Sequence, residues 1–272
     1  MATRDDILVE LGLTPTWRRR ESGASSTAAV ATVALEPVVP KQVAPETGTL
    51  REPMPRAAKA PAPAQDGTAR AARIAALSWD DFASDVDACG ACGLCKTRNR
   101  SVPGVGDVNA EWLFVGEAPG AEEDARGEPF VGQAGRLLDN MLAALGMARG
   151  RNVYIANVLK CRPPNNRTPE PSEAEACRPY LERQVELIRP KLIVALGKSA
   201  ASLLLGTDAT IASLRGRVHR YRGAPLIVTY HPAYLLRNLP DKAKAWEDML
   251  LARRTVAASP DNSAADPPPV AR

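Results

Sequence analysis

Five cysteines, a few carboxylates and His231 carry most of the chemistry open to this sequence. Cys89 and Cys92 form a C-x-x-C pair, Cys95 stands three positions further on, and Cys161 and Cys177 lie far downstream. Two close thiols plus two distant ones are the usual ligand pattern of a four-thiolate metal site. Spacing does not separate zinc from an iron–sulfur centre, because both take four thiolates. One cysteine of the five is surplus to such a site. Buried thiols without a ligand are the plainer alternative, and the C-x-x-C pair argues against it.

The second group of reactive residues begins at Trp112. Trp112-Leu-Phe-Val115 is an unbroken apolar run that ends in Gly116-Glu117-Ala118-Pro119-Gly120, with Glu122, Glu123 and Asp124 immediately after. A buried strand that ends in a Gly/Pro turn beside carboxylates is where an open α/β sheet places its chemistry. The bland alternative is a strand-to-helix turn with a solvated acidic face.

These residues need elements to position them. The apolar pattern gives strands at Trp112–Gly116, 153–158, Leu192–Leu196 and 226–230. It gives helices at 135–145, 172–188, 199–205 and 241–254, with Ser172 as an N-cap and Pro190 as a stop. Strands that alternate with helices make βαβ units. The expected fold is therefore α/β, with a four-stranded, mainly parallel sheet sandwiched between helices. Its shared carboxyl rim would carry Glu117, Asn157, Gly197 and His231.

The remainder of the chain reads as non-globular. Residues 23–73 are rich in Ala and Pro without hydrophobic periodicity, and the tail 258–272 is similar; both are expected to be disordered around a folded domain at 74–257. Residues 1–22 form an island in which Ile7, Leu8, Leu11 and Leu13 lie at helical spacing, followed by Trp17 and Arg18-Arg19-Arg20. An amphipathic peptide of this kind docks on partners. It resembles the N-terminal peptide of the psi subunit of the bacterial replicative clamp loader, which binds the chi subunit, with the Trp displaced by one position. That resemblance implies a replication-protein partner; a frayed terminus is the alternative. The sequence shows no long apolar run and no secretory h-region, so the expectation is a cytoplasmic, non-membrane protein, and a monomer. A net charge of +4 permits a polyanionic partner without demanding one.

The folded region resembles the family 4 iron–sulfur uracil-DNA glycosylases. The resemblance is carried by Cys89-x-x-Cys92-x-Leu94, by Gly116-Glu117-Ala118-Pro119-Gly120 with Glu123-Asp124, and by Gly127-x-Pro129-Phe130-Val131-Gly132-x-Ala134-Gly135. It continues through Asn157-x-x-Lys160-Cys161-Arg162-Pro163-Pro164-x-Asn166-Arg167 and ends with His231-Pro232-Ala233-Tyr234-Leu235-Leu236-Arg237. It implies a monofunctional DNA repair hydrolase that flips uracil out of DNA and cleaves its N-glycosidic bond. It also implies a [4Fe-4S] cluster on Cys89, Cys92, Cys161 and Cys177, with Cys95 as the surplus thiol; a Cys92/Cys95 pairing fits the spacing but fits the family pattern less well. His231 would donate to uracil O2, Asn157 would read the uracil edge, Phe130 would stack, and backbone at Ala118 would approach the base. Glu123 near the base and Glu117 near the sugar are the candidate carboxylates, with interchangeable roles. Leu235 and Leu236 could wedge into the vacated stack, and Arg237 and Arg167 could meet phosphates. Lys160, Arg162, Arg215 and Arg217 would widen the basic surface. A nucleic-acid-binding module without catalysis is the first rival. A second is the related class that cross-links to uracil-containing DNA, but the segment after Cys161 lacks the His of that class.

Overall fold

The computed structural model describes residues 67–259. The candidate docking peptide at 1–22, most of the linker and the tail from residue 260 lie outside the described residues.

Six strands form one sheet among the described residues: β1 (Val105–Gly106), β2 (Trp112–Gly116), β3 (Val153–Asn157), β4 (Leu192–Leu196), β5 (Val218–Tyr221) and β6 (Ala224–Thr229), in the order β1-β3-β2-β4-β6-β5. The middle four, β3-β2-β4-β6, are parallel. Those are the four strands legible in the sequence, and the two additions are antiparallel edges. β1 is a two-residue strand, too short for periodicity to reveal. β5 alternates exposed and partly buried residues and carries His219 and Arg220. Charged, alternating edge strands of this kind discourage sheet-to-sheet association.

Every residue of β2, β3 and β4 is buried, as a parallel strand covered on both faces requires. Leu113, Val115, Tyr154, Ala156, Ile193 and Ala195 face one apolar layer; Trp112, Phe114, Val153, Ile155, Leu192 and Val194 face the other. The first layer is closed by α5 (Pro171–Ile188) and α6 (Lys198–Leu205), the second by α4 (Gln133–Ala144) and α9 (Asp241–Ala258). Each large aliphatic side chain removed from water in these layers contributes about 1.5–3 kcal/mol before the entropy of ordering is counted.

The remaining helices in chain order are α1 (Gly67–Ala75), α2 (Trp79–Ala88), α3 (Ala121–Arg126), α7 (Ile211–Leu214) and α8 (Pro232–Leu235). α1 corrects the expected start of the folded domain at residue 74. It opens seven residues earlier because Ile74 is fully buried, and Arg70 donates to the Ala176 carbonyl on α5 at 2.8 Å. The cap of α5 is also not Ser172. Glu173 reaches back to the Glu170 backbone N–H at 2.9 Å, so the carboxylate three residues into the helix caps it.

Candidate active site and thiol pocket

The carboxyl ends of the parallel strands converge on one rim. Gly116 and Asn157 are register partners at the ends of β2 and β3. A Cβ on Gly116 would come within 2.8 Å of Phe130 Cζ and closer still to Asn157 Oδ1, so the Asn157 amide and the Phe130 ring meet over a bare Cα. Phe130 is held at φ +55°, a conformation that costs an L side chain of this bulk on the order of 1–3 kcal/mol. Gly135 in the first turn of α4 makes it feasible, because any Cβ there would overlap the Phe130 carbonyl. The Phe130 ring packs on His231, with centroids 5.5 Å apart.

His231 is the N-cap of α8. Its Nδ1 accepts from the Ala233 N–H at 3.1 Å, so in the neutral imidazole the proton sits on Nε2. Burial, aided by the Arg237 charge and opposed by Glu123, lowers its pKa to about 4. The ring is therefore a neutral Nε2–H donor at physiological pH. Asn157 is 2% exposed, and its Oδ1 is buried without a hydrogen-bond partner among the described residues. Buried amide oxygens are rarely left so.

The two carboxylates separate by environment. Glu123 is fully used by backbone: Oε2 accepts from Gly120 N–H at 3.1 Å, and Oε1 accepts from Val131 N–H at 3.0 Å and Gly132 N–H at 3.4 Å. It ties the turn after β2 to the Phe130 segment, and its charge is also felt at His231. Glu117 is different. Its Oε1 is buried and unpartnered, and burial raises its pKa against a hydrogen bond from Ser199. Neighbouring Asp124 is structural, since its buried carboxylate accepts from the Asn99 backbone and side chain at 2.8 and 2.6 Å. Ala118, in this turn, is partly buried against the core.

Several candidates for the DNA surface are placed elsewhere. Leu235 is 1% exposed, packed with Tyr230 and Ala245, so of the two leucines only Leu236, 41% exposed, faces solvent. Arg237 and Arg217 are exposed. Arg167 is also exposed, with its guanidinium in a fork with Glu173 at 2.9 and 2.6 Å. Arg215 pairs with buried Asp248 at 3.0 Å and lies over the Tyr230 ring. Arg162 holds the Asn166 side chain at 2.7 Å. Lys160 is 1% exposed; its ammonium donates to the Asn157 carbonyl at 2.8 Å and to Gln184 Oε1.

All five cysteines are free thiols, and Cys89, Cys92, Cys95, Cys161 and Cys177 line a single pocket together with Arg98, Lys160 and Tyr180. Among the described residues no three His, Cys, Asp or Glu side chains form a tight group that could hold one metal ion; the sulfurs stand around the pocket instead. Arg98 donates to Cys161 Sγ at 2.8 Å, Arg70 to Cys89 Sγ at 3.4 Å, and the Lys160 backbone N–H to Cys177 Sγ at 3.3 Å. Burial pushes the Cys161 thiol up to about 11 and Cys177 to about 12. Two arginines aimed at sulfur favour thiolate, and a thiol-only donor set suits a soft metal centre. Neither arginine was singled out in the sequence. Arg70 lies in the apparent linker, and the only signal for Arg98 is its nearness to Cys95. Ser199 was likewise read only as helix, although it follows β4 directly at the rim.

An open, mainly parallel α/β sheet with a polar recognition site at its carboxyl rim and a thiol-lined pocket beside it defines a ligand-binding α/β protein of the enzyme type. Residues 103–250 match the uracil DNA glycosylase superfamily. A type-4 uracil-DNA glycosylase of Archaeoglobus fulgidus is 49% identical over 167 residues, covering 58% of this chain and 83% of the relative. One of Saccharolobus solfataricus is 42% identical over 190 residues, 66% of this chain and 88% of the relative. One of Thermotoga maritima is 48% identical over 155 residues, 56% and 80% respectively. The chain belongs to the uracil DNA glycosylase superfamily, in its type-4 branch.

Proposed function

We propose that this protein is a monofunctional uracil-DNA glycosylase, which flips uracil out of DNA and hydrolyses its N-glycosidic bond to leave an abasic site for base excision repair. The observation that carries the reading is the buried, unpartnered Oδ1 of Asn157 at the rim. It offers an acceptor to uracil N3–H, while the amide N–H2 can donate to O4. Cytosine presents an acceptor at N3 and a donor at C4, so it would leave buried polar groups facing like groups. Phe130 supplies an aromatic surface; its ring is already packed on His231, so the base lies along Phe130 rather than between the two rings.

Bond cleavage makes the sugar oxocarbenium-like and uracil anionic. The Nε2–H of His231 stabilises the charge that grows on O2, with no proton transfer required. Glu117 is the carboxylate assigned to the sugar side, where it orients water or faces the cationic ring; Glu123 braces the loop that holds Phe130. Exposed Leu236 fills the gap left by the flipped base and Arg237 meets a phosphate, which offsets the few kcal/mol of unstacking.

Cys89, Cys92, Cys161 and Cys177 are assigned to a [4Fe-4S] cluster on the family resemblance; in support, all four line one pocket, which Cys95 shares, with arginines aimed at two of their sulfurs. Such a group, when bound, supplies cross-linking of distant segments, and no step of the hydrolysis passes through it. Residues 1–22 are assigned to docking on a replication protein.

Alkali-chased cleavage of a single-uracil oligonucleotide tests the reading. Wild-type protein should give a break at uracil, and Asn157→Ala and His231→Ala should each lower the rate by ~100-fold or more. Protein that binds the oligonucleotide with full visible absorbance yet never cuts would mean a binding module. A stable protein–DNA adduct would mean the cross-linking class.

A further inference from the structure

The segment from Asn157 to Cys161 joins the uracil-reading end of β3 to the thiol pocket in five residues, and it is pegged throughout. Val158 N–H donates to the Gly116 carbonyl at 2.9 Å and Leu159 N–H to the Glu117 carbonyl at 3.0 Å. The Lys160 carbonyl accepts from Val102 N–H at 2.8 Å. The backbone of Lys160 also donates to Cys177 Sγ, while its side chain folds back to the Asn157 carbonyl, 2.8 Å away. The other partner of the ammonium is Gln184 Oε1. Gln184, itself fully buried, is held by donating to the Pro103 carbonyl at 2.8 Å.

This is an unusual place for a charge. An ammonium is almost never fully buried without an anion, yet both side-chain partners of Lys160 are neutral oxygens. Lys160 lines the same pocket as Cys161 and Cys177, whose sulfurs carry negative charge when they hold a metal centre. We infer that Lys160 is a positioning residue that couples the two sites: its ammonium fixes the Asn157 carbonyl, and hence the amide that reads uracil, while taking its counter-charge from the thiolate pocket. Resting on the glycosylase reading, this goes beyond it by making the state of the thiolates felt at the base-reading amide. No redox step or bond change is involved.

The two parts of the role come apart in two variants. Lys160→Met removes the charge and the donors; Lys160→Gln removes the charge and keeps an N–H donor. Both are prepared as full-length, cluster-loaded protein. The measurements are the inhibition constant of free uracil and the midpoint potential of the cluster. Loss of a hydrogen bond from a charged donor should raise the uracil constant roughly tenfold or more in Lys160→Met, and less in Lys160→Gln. The potential should fall by a similar amount in both, because both remove the positive charge that favours the more negative, reduced cluster. If both variants fold, by circular dichroism, but cannot retain visible absorbance while Arg162→Gln does, loss of the counter-charge is shown directly. Loaded variants with wild-type uracil constant and potential overturn the inference, as does a uracil constant that rises equally in both. Wild-type protein that neither cuts at uracil nor binds it would instead overturn the glycosylase reading.

Discussion

A Cβ added to Gly197 would stand 2.9 Å from the Cβ of His231, so the end of β4 is bare where the imidazole of the neighbouring segment needs the room. Gly197 is also at φ +94°. Gly197→Ala therefore meets both strain and crowding. It should lower stability by ~1–3 kcal/mol and, by displacing His231, reduce kcat/KM about tenfold or more. Melting temperature and kinetics measured together check it; full activity at reduced stability would show that His231 tolerates the shift.

The His231 ring gives a pH prediction with a definite sign. Its pKa is about 4 in the fold against an ordinary 6.5, so between those values the unfolded chain binds the extra proton. The stabilisation from this group is complete above pH 6.5 and is lost as pH falls towards 4, by up to ~3 kcal/mol. Urea unfolding of wild type and His231→Gln across pH 4–8 should show a steeper acid loss in the wild type. The kcat/KM profile should show no histidine ionisation near pH 6.5.

Two adjacent leucines should behave oppositely. Leu235→Ala opens a hole in the Tyr230–Ala245 cluster and should destabilise by ~2–5 kcal/mol. Leu236→Ala should leave stability within ~0.5 kcal/mol and lower the rate on duplex uracil more than on single-stranded uracil. Equal losses on both substrates would remove Leu236 from base flipping.

The carboxylates can be told apart in the same way. Glu117→Gln relieves a buried carboxylate held above its ordinary pKa by burial. It should be as stable as wild type or more so, with slowed turnover. Glu123→Gln keeps one acceptor oxygen, so it can serve Gly120 or the Val131 and Gly132 pair but not both; it should melt lower, with activity falling because the Phe130 loop is loosened. A stable, fully active Glu123→Gln would contradict the bracing role.

For the thiols, Cys161→Ser should abolish visible absorbance and lower the melting temperature, whereas Cys95→Ser should retain both. The reverse result at Cys95 would favour the Cys92/Cys95 pairing. Iron analysis alongside the spectra separates an iron centre from zinc.

Much of the sheet was legible because its four parallel strands are buried on both faces and so read as apolar runs. Asn157 was legible as a strand end and His231 as a residue just beyond one, while Phe130, and which four cysteines form the set, were legible only through the family resemblance. The edge strands were not: two residues of β1 carry no period, and β5 mixes charge with half-burial. Residue type also says nothing of partnership. Arg167, Arg215 and Lys160 look like a basic surface until Glu173, Asp248 and the Asn157 carbonyl are seen beside them. Leu235 closes a one-turn helix against the core, whereas Leu236 is its C-cap and turns to solvent. The start of α1 escaped because a single buried isoleucine and one arginine, within an Ala-rich stretch, decide it.

The left-handed backbone of Phe130 needs position 135 to lack a Cβ, and its ring needs position 116, on a different element, to lack one as well. Across evolutionary time this packing holds both glycines fixed. An alanine at 135 would overlap the residue 130 carbonyl whatever side chain stands there, and an alanine at 116 would meet Asn157 Oδ1 as well as the ring. A library randomised at the three positions together, and selected for uracil removal, should return glycine at 135 with every survivor that keeps this backbone, and glycine at 116 whether or not the ring remains, because Asn157 is still there.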